Sequence, residues 1–244
     1  MKNIMLIVEY QGSNFSGWQR QIGERTIEEV IEKTIKKISK EDIKLIGSGR
    51  TDAKVHALGQ VANFKTRSTI PASRFKYILN NNLPEDIRIR ESKEVSMDFH
   101  SRFSAKAKKY KYIVYNSKMP SALYRNFSYH IPRELDIDKM RSACEEFIGT
   151  HDFASFKGRR SVVKDTIRTI YKIDISKKND LIEITIIGKS FLKYMIRIMV
   201  GTLLEVGYGN LSRQDIREII ACKNRTKAKK TADPQGLFLM KVYY

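Results

Sequence analysis

Cysteine, proline, acidic residues and long apolar runs are all scarce in this 244-residue sequence, and each shortage excludes a class of protein. Two cysteines, Cys144 and Cys222, cannot form a disulfide framework, so we expect a reducing, cytoplasmic location rather than secretion. Five prolines and thirteen glycines argue against collagen-like and disordered chains. No stretch reaches the roughly eighteen apolar residues of a membrane span, and the first apolar run is too short for a signal peptide, so we expect no membrane contact.

Basic residues outnumber acidic ones by 46 to 27, which leaves a net charge of +19. A compact protein with so large a positive charge usually binds a polyanion, most often nucleic acid. Each basic run by itself is also typical of a solvated surface, but together the runs suit a phosphate backbone. The runs comprise Lys106, Lys108, Lys109 and Lys111; Lys157, Arg159, Arg160 and Lys164; and Lys223, Arg225, Lys227, Lys229 and Lys230.

The order of the apolar patterns predicts an α+β fold in two similar halves, residues 1–102 and 103–244. The first half follows the order β-α-β-β-α-β, and the second half repeats it with one extra helix. This order is typical of ferredoxin-like and RNA-recognition domains. We therefore expect two such halves that share an extended mixed, mainly antiparallel sheet with a central active-site cleft.

The element bounds follow from the spacing of apolar residues and from turn residues. Thr26 and Glu29 fit a capping box at the start of the first helix, and Gly149 fits the C-cap of the third. The predicted strands cover 4–10, 43–46, 60–64, 87–95, 108–116, 167–175, 181–187 and 236–242, and the predicted helices cover 27–38, 71–79, 140–148, 191–206 and 215–222.

Several common catalytic motifs are missing from the sequence. The four histidines, at positions 56, 100, 130 and 151, are scattered without the spacing of a metal site. There is no phosphate-binding loop and no nucleophile elbow, and a possible dinucleotide fingerprint at 47–49 fails because Asp52 stands where its third glycine should be. We therefore expect neither metal nor cofactor, and a chemistry that rests on carboxylates and basic side chains.

The segment 47–61 carries the most chemical information. It reads Gly-Ser-Gly-Arg-Thr-Asp-Ala-Lys-Val-His-Ala-Leu-Gly-Gln-Val and places Asp52 between glycines in a loop that joins two predicted strands. In an extended chain Arg50 and Asp52 point the same way, so the guanidinium would keep the carboxylate ionised and could also bind a phosphate. Spacing alone more often means a turn-capping aspartate with a surface ion pair.

Segment 47–61 resembles the signature of the tRNA pseudouridine synthase A family, and other segments match that family in the same order. The matches span nearly the whole chain, so the resemblance is far more specific than any single motif. The other matching positions are Tyr10, Gly12, Phe15 and 17–20; 82–84; Phe99, His100 and 102–105; Lys109, Tyr110 and Tyr112; 151–153, Ser155 and Phe156; Phe191, Met195, Arg197, Val200 and Gly201; and Gly236 with Leu237.

The resemblance implies an enzyme that isomerises uridine to pseudouridine in the anticodon stem-loop of tRNAs, at positions 38 to 40, without a cofactor. It implies that Asp52 is the catalytic nucleophile, and it leaves attack on the base and attack on the sugar both open. Tyr110 would stack on the uracil of a flipped-out nucleotide, Arg197 would pair with Asp52, and Leu237 matches an apolar pocket residue. The resemblance also implies a homodimer that holds the RNA between its subunits.

Elementary chemistry agrees with these roles. An aromatic face in the pocket offsets part of the cost of unstacking a base, and a charge inside an apolar helix such as that around Arg197 is costly unless it is paired. Taken alone, Arg197 is equally consistent with a snorkelling surface residue, and Tyr110 with an ordinary strand aromatic. We count Arg50 among the catalytic residues and further assign to substrate binding Lys54, His56, Lys108, Arg159 and Arg160.

Lys54 departs from the family, which usually has glycine at that place. A lysine in the left-handed region costs on the order of 1 kcal/mol, so we expect Lys54 at negative φ with its side chain at the mouth of the cleft. Two alternatives to the synthase stay open: a non-catalytic tRNA-binding protein on the same fold, and a paralogue that acts on a different RNA.

Overall fold

The computed structural model describes residues 1–159 and 161–244, and the chain divides into two units. The first unit contains residues 1–106 and 238–244, and the second contains 107–237. The strands are β1 (Lys2–Tyr10), β2 (Ile46–Gly47), β3 (His56–Thr66), β4 (Ile87–Val95), β5 (Ala107–Asn116), β6 (Tyr129–Ile131), β7 (Gly149–Asp152), β8 (Ile167–Lys178), β9 (Leu181–Gly188) and β10 (Leu237–Tyr243). The helices are α1 (Ile27–Ser39), α2 (Phe75–Asn80), α3 (Ile137–Cys144), α4 (Met195–Gly207) and α5 (Arg213–Ala221).

In the first unit, β1 lies between β3 and β4 and pairs antiparallel with both. Strand β2 pairs antiparallel with β3 at Asn63 and Ala62, and β10 pairs in parallel with β3 at His56 and Ala57. Helix α1 buries the apolar stripe that its three- and four-residue spacing predicts. The last strand of the chain therefore supports the same strand that follows the segment around Asp52.

In the second unit, the antiparallel strands β5, β9, β8 and β7 follow one another, and β6 pairs in parallel with β5. Helix α4 is buried along almost its whole length, with only Arg197 and Glu205 partly exposed. A helix that is apolar on nearly every side belongs inside a core rather than on a surface. Helix α4 is the best-buried helix of the described residues.

The predicted α+β class with mixed, mainly antiparallel strands is confirmed: the described residues contain ten strands and five α-helices. The bounds of β4 are those predicted, and each predicted strand or helix overlaps an observed one, although the strand predicted at 43–46 shares only Ile46 with β2. Two short strands, β6 and β7, were not predicted, because three or four residues are too few to show an alternation. Among the described residues no helix is both long enough and apolar enough to cross a membrane.

Three local predictions are wrong. Thr26 stands at the N-cap of α1, but its hydroxyl finds no partner among the described residues, and Glu29 pairs with Lys33 at 2.9 Å instead of completing a capping box. Gly149 (φ +108) begins β7 rather than capping a helix. Helix α4 begins at Met195 rather than at 191, because Tyr194 has a φ of +64 that a right-handed helix excludes.

Helix α2 is also shorter than predicted. Pro71 precedes a 3-10 turn at Ala72–Arg74, and the α-helix begins only at Phe75. The proline has φ −59 but ψ 139, an extended conformation that places it before the helical turns rather than within them. Proline therefore marks the start of this segment, as its position predicts, but a 3-10 turn separates it from the helix.

Candidate active site

The loop that carries Asp52 is fastened to the segment 15–18. The backbone N–H of Trp18 donates to the Thr51 carbonyl at 3.1 Å, and the N–H of Lys54 donates to the Phe15 carbonyl at 3.2 Å. Gly17 has a φ of +98, and a Cβ there would lie 2.7 Å from the Thr51 carbonyl oxygen. Only glycine allows this close approach of two backbones. The Phe-x-Gly-Trp motif of the sequence is therefore the support of the Asp52 loop.

Gly12 and His56 also contact the Asp52 loop and its neighbours. A Cβ at Gly12 would overlap the Val55 carbonyl oxygen, and the Gly12 N–H donates to Nδ1 of His56 at 3.1 Å. His56 is buried and its ring stacks on Phe238 with centroids 4.8 Å apart. Because Nδ1 accepts a hydrogen bond, that nitrogen carries no proton. The imidazole thus fixes the backbone next to Asp52.

Buried side-chain hydrogen bonds hold the other end of the loop. Thr51 Oγ1 and the hydroxyl of Tyr10 lie 2.7 Å apart, and burial raises the pKa of Tyr10, so this phenol stays neutral. Ser48 donates through its hydroxyl to Gln60 at 2.6 Å, and the amide of Gln60 donates to the Gly49 carbonyl at 2.8 Å. These contacts fix the residues that precede Asp52, whose own side chain is partly exposed.

The predicted negative φ of Lys54 is wrong. Lys54 has a φ of +64 and is exposed. The cause is a four-residue turn closed by the Val55 N–H, which donates to the Asp52 carbonyl at 3.2 Å and puts Lys54 at the third position. A type II turn requires positive φ at that position, where glycine is favoured. The loop thus keeps the course that suits glycine, and lysine accepts the left-handed backbone.

Arg50, two residues before the aspartate, is also exposed.

In the second unit, the aromatic candidates lie on one face of β5. Tyr110 is 7% exposed, and its ring meets Phe191 edge to face with centroids 5.2 Å apart. Tyr112, two residues later, is buried and donates its hydroxyl to the Asp233 carbonyl at 2.6 Å. Lys108 stands on the same face and is partly buried. The packing thus fixes the ring of Tyr110 in one orientation.

Arg197 lies in the first turn of α4 and is partly buried. Its Nε donates to the Ala232 carbonyl at 2.8 Å, and the N–H of Ala232 donates back to the Arg197 carbonyl at 3.0 Å. The guanidinium carbon lies 5.2 Å from the ring centroid of Tyr194, a cation–π contact. These partners hold a charged side chain on a helix that is otherwise apolar.

The segment 230–237 runs from the contact with Arg197 to Leu237, the predicted apolar pocket residue. A Cβ at Gly201, one helical turn after Arg197, would overlap the Lys230 carbonyl oxygen, so the segment lies directly on α4. It continues through Asp233, the acceptor of Tyr112, to Leu237, which is buried at the start of β10. One segment thus places Arg197, Tyr112 and Leu237.

The remaining sequence predictions lie elsewhere or outside the described residues. Arg159 is exposed in the loop after the 3-10 turn at 154–156, and Arg160 lies outside the described residues. The described ranges contain no cluster of three or more His, Cys, Asp or Glu side chains that could hold a metal ion. Sequence reasoning missed two kinds of support: the buried Thr51 with Tyr10, and the backbone carbonyls of 232 and 233. Thr51 could have been found from the sequence, because it stands beside the predicted nucleophile. The carbonyl acceptors could not, because every residue has a backbone carbonyl.

Comparison with known proteins shows the family of the chain. A family model described as tRNA pseudouridine synthase matches residues 6–104 and 143–244. A tRNA pseudouridine synthase A from Acetivibrio thermocellus is 48% identical over 244 residues, and one from Caldicellulosiruptor saccharolyticus is 50% identical, each with full coverage of both chains. A solved structure titled as an archaeal box H/ACA sRNP Nop10-Cbf5 complex covers 95% of this chain and 60% of its own, at 12% identity and a TM-score of 0.42.

Proposed function

The chain belongs to the tRNA pseudouridine synthase family, and we propose that it isomerises uridine to pseudouridine at positions 38 to 40 of the tRNA anticodon stem-loop. The observation that supports this most strongly is the Asp52 loop. A partly exposed carboxylate stands on a turn whose two sides are fixed by buried hydrogen bonds and by glycine contacts. Such a loop presents a nucleophile in one geometry, which is what covalent catalysis requires.

In the proposed reaction the aspartate attacks a nucleotide that has left its stack. The N1–C1′ glycosidic bond breaks, the uracil rotates while it stays bound, and a C5–C1′ bond forms. C5 loses a proton and N1 gains one, so the product is an isomer of the substrate and no cofactor is consumed. Attack by the carboxylate form of Asp52 needs no separate base, because a carboxylate has no proton to give up.

The second unit would supply the surroundings of the uracil. We assign stacking on the base to Tyr110, whose ring is held by Phe191, and an apolar contact to Leu237. Arg197 would pair with the carboxylate of Asp52, as the family resemblance implies. Its Nε donates to the Ala232 carbonyl at 2.8 Å, a contact that orients the planar guanidinium group.

Positive charge would bind the tRNA. Arg50, Lys54 and Arg159 are exposed, and Lys108 is partly exposed, so each can reach a phosphate; we assign the same role to Arg160. His56 would act by positioning the loop rather than by touching RNA, since it is buried beneath it. A homodimer and a cytoplasmic location complete the proposal.

Chemical mapping of pseudouridine in tRNA transcripts, after incubation with the purified chain, tests this function. We expect pseudouridine at one or more of positions 38 to 40 from the wild-type protein and none from Asp52→Asn. Tight tRNA binding without any pseudouridine would favour the non-catalytic alternative. Pseudouridine elsewhere in tRNA, or only in another RNA, would overturn the proposed target site.

A further inference from the structure

The segment 99–105, which matches the family in sequence, has no role in the site described above. It contains Phe103, whose ring is 75% exposed, more than that of any other described aromatic side chain. Single exposed apolar side chains are common on protein surfaces, so the exposure of this ring indicates a binding role only together with its surroundings.

Buried polar contacts fix the loop that holds the ring. Ser101 is fully buried; its N–H donates to Asn63 Oδ1 at 2.9 Å, and its hydroxyl donates to the Ile46 carbonyl. The Ser101 carbonyl accepts from the Tyr244 hydroxyl at 2.7 Å. The amide of Asn3 holds the neighbouring Phe99 carbonyl at 3.0 Å. An anchored loop that ends in an exposed ring loses little further entropy on binding.

The tip of the loop is equally well ordered. The Ser104 N–H donates to the His100 carbonyl at 2.9 Å, and the N–H groups of Arg102 and Phe103 donate to His100 Nδ1 at 3.2 and 3.3 Å. The imidazole lies against Phe103 with ring centroids 4.3 Å apart, and the Arg102 guanidinium carbon is 5.4 Å from the same centroid. The tip therefore presents a largely exposed aromatic ring, which an imidazole contacts and over which a guanidinium lies.

An aromatic face flanked by arginine suits a nucleobase and its phosphate. A protein partner would instead need a broad apolar patch, whereas the residue next to this ring is the exposed Arg102. The loop is tied to Ile46 in β2, and the six residues from there to Asp52 span at most about 20 Å when fully extended. One RNA can thus meet both places.

We propose that the ring of Phe103 stacks on an unpaired base of the RNA substrate, away from the reacting uridine, while Arg102 contacts the adjoining phosphate. Phe103 is then a positioning residue for the RNA, and the inference rests on the function proposed above. It assigns to segment 99–105 a site for single-stranded nucleic acid.

A tryptophan at this place reports stacking directly. The protein has one tryptophan, Trp18, which is buried, so Phe103→Trp adds a single exposed emitter. We expect an unmodified tRNA transcript to quench the added emission. The matched control is Tyr77→Trp, because Tyr77 is 56% exposed on α2 with the Lys76 ammonium 4.8 Å from its ring centroid. Equal quenching at both sites, or none at 103, would overturn the proposal.

Affinity gives the second readout. We expect Phe103→Ala to weaken tRNA binding about tenfold, Phe103→Leu to weaken it similarly, and Phe103→Trp to keep it, since stacking requires a π face rather than apolar volume. Turnover at saturating tRNA should stay within about twofold for all three. Wild-type affinity in Phe103→Leu would overturn stacking, and a lower oligomer mass in Phe103→Ala would identify the surface as a contact between chains.

Failure of this inference can be told from failure of the proposed function. If the wild-type chain forms pseudouridine but Phe103→Ala binds tRNA normally, the function stands and the stacking site falls. If the wild-type chain forms no pseudouridine but Phe103→Ala weakens binding, the stacking site stands and the proposed reaction falls.

Discussion

The Asp52 loop of the first unit and helix α4 of the second hold their key residues by opposite means. Hydrogen bonds from Tyr10 and Gln60 and two glycine contacts support the loop, which leaves its carboxylate partly exposed. Helix α4 is held by the burial of its apolar side chains. Its one arginine, Arg197, is held by the Ala232 carbonyl and by contact with the Tyr194 ring. Hydrogen bonds thus position the candidate nucleophile Asp52, whereas an apolar core positions the cation Arg197. Substitutions in the loop and in helix α4 should therefore have different effects.

The largest effect should come from the carboxylate. Asp52→Asn keeps the shape of the loop but cannot act as a nucleophile, so we expect pseudouridine formation to be abolished. tRNA binding should stay within about tenfold, or roughly 1.4 kcal/mol. Single-turnover assays and filter binding measure the two quantities. Appreciable turnover by the purified variant would remove Asp52 from the central role.

On the helix side, Arg197→Met should separate activity from stability. We expect kcat to fall about 100-fold with the loss of an electrostatic partner, while the free energy of unfolding changes by no more than about 1 kcal/mol. Methionine fills a similar volume in an apolar helix, which makes it a matched replacement. The kcat of Arg197→Lys, which keeps the charge but not the forked guanidinium group, should lie between those of the wild type and Arg197→Met. Unchanged kcat in Arg197→Met would make Arg197 a structural residue only.

Gly12→Ala and Gly201→Ala place the same methyl against a carbonyl on each side of the comparison, that of Val55 and that of Lys230. We expect each to lower the free energy of unfolding by about 1–3 kcal/mol, even though alanine normally stabilises a helix interior by about 1 kcal/mol. Urea unfolding measures this. Gly23→Ala, with nothing within 4 Å of the added methyl and φ +77, is the control for backbone strain alone. Equal losses in all three variants would contradict the overlap argument.

Lys54→Gly should stabilise the loop. The left-handed backbone costs lysine about 1–2 kcal/mol, and glycine removes this cost. Glycine also has greater freedom in the unfolded chain, which offsets part of the gain, so the net stabilisation should be about 0.5 kcal/mol. Thermal unfolding measures it, and Lys54→Ala, which loses the charge but keeps the strain, should show no gain. A less stable Lys54→Gly protein would mean that the side chain itself holds the loop.

The smallest effect should come from a surface ion pair. The guanidinium groups of Arg217 and Arg213 lower the pKa of Glu146 to about 2. A carboxylate with a lowered pKa stabilises the fold fully above its unfolded pKa near 4.5 and loses that contribution as the pH falls towards 2. Glu146→Gln should therefore lower stability at pH 7 more than at pH 2, and only slightly, because both arginines are substantially exposed and water screens the pairs. A large loss at pH 7 would show that polar contacts also support the second unit.

Sequence patterns predicted the type of nearly every element, and β4 exactly, because apolar periodicity records which face of a strand or helix is buried. They also singled out Asp52, Tyr110 and Arg197, through a resemblance that rests on segments spread along the chain. They failed at the ends of elements. Apolar spacing does not record that Glu29 pairs with Lys33 instead of completing a capping box, or that Tyr194 takes a positive φ that stops a helix.

The sequence by itself determined the α+β class, the family and the chemical groups available for catalysis, since these depend on side-chain identity and on local spacing. The tertiary structure alone decided that Lys54 takes a positive φ, that β10 returns to pair with β3, and that the carbonyls of Ala232 and Asp233 hold Arg197 and Tyr112. The physical reason is that every residue carries the same backbone acceptor. Which of those carbonyls meets a buried donor is settled only when distant parts of the chain pack together.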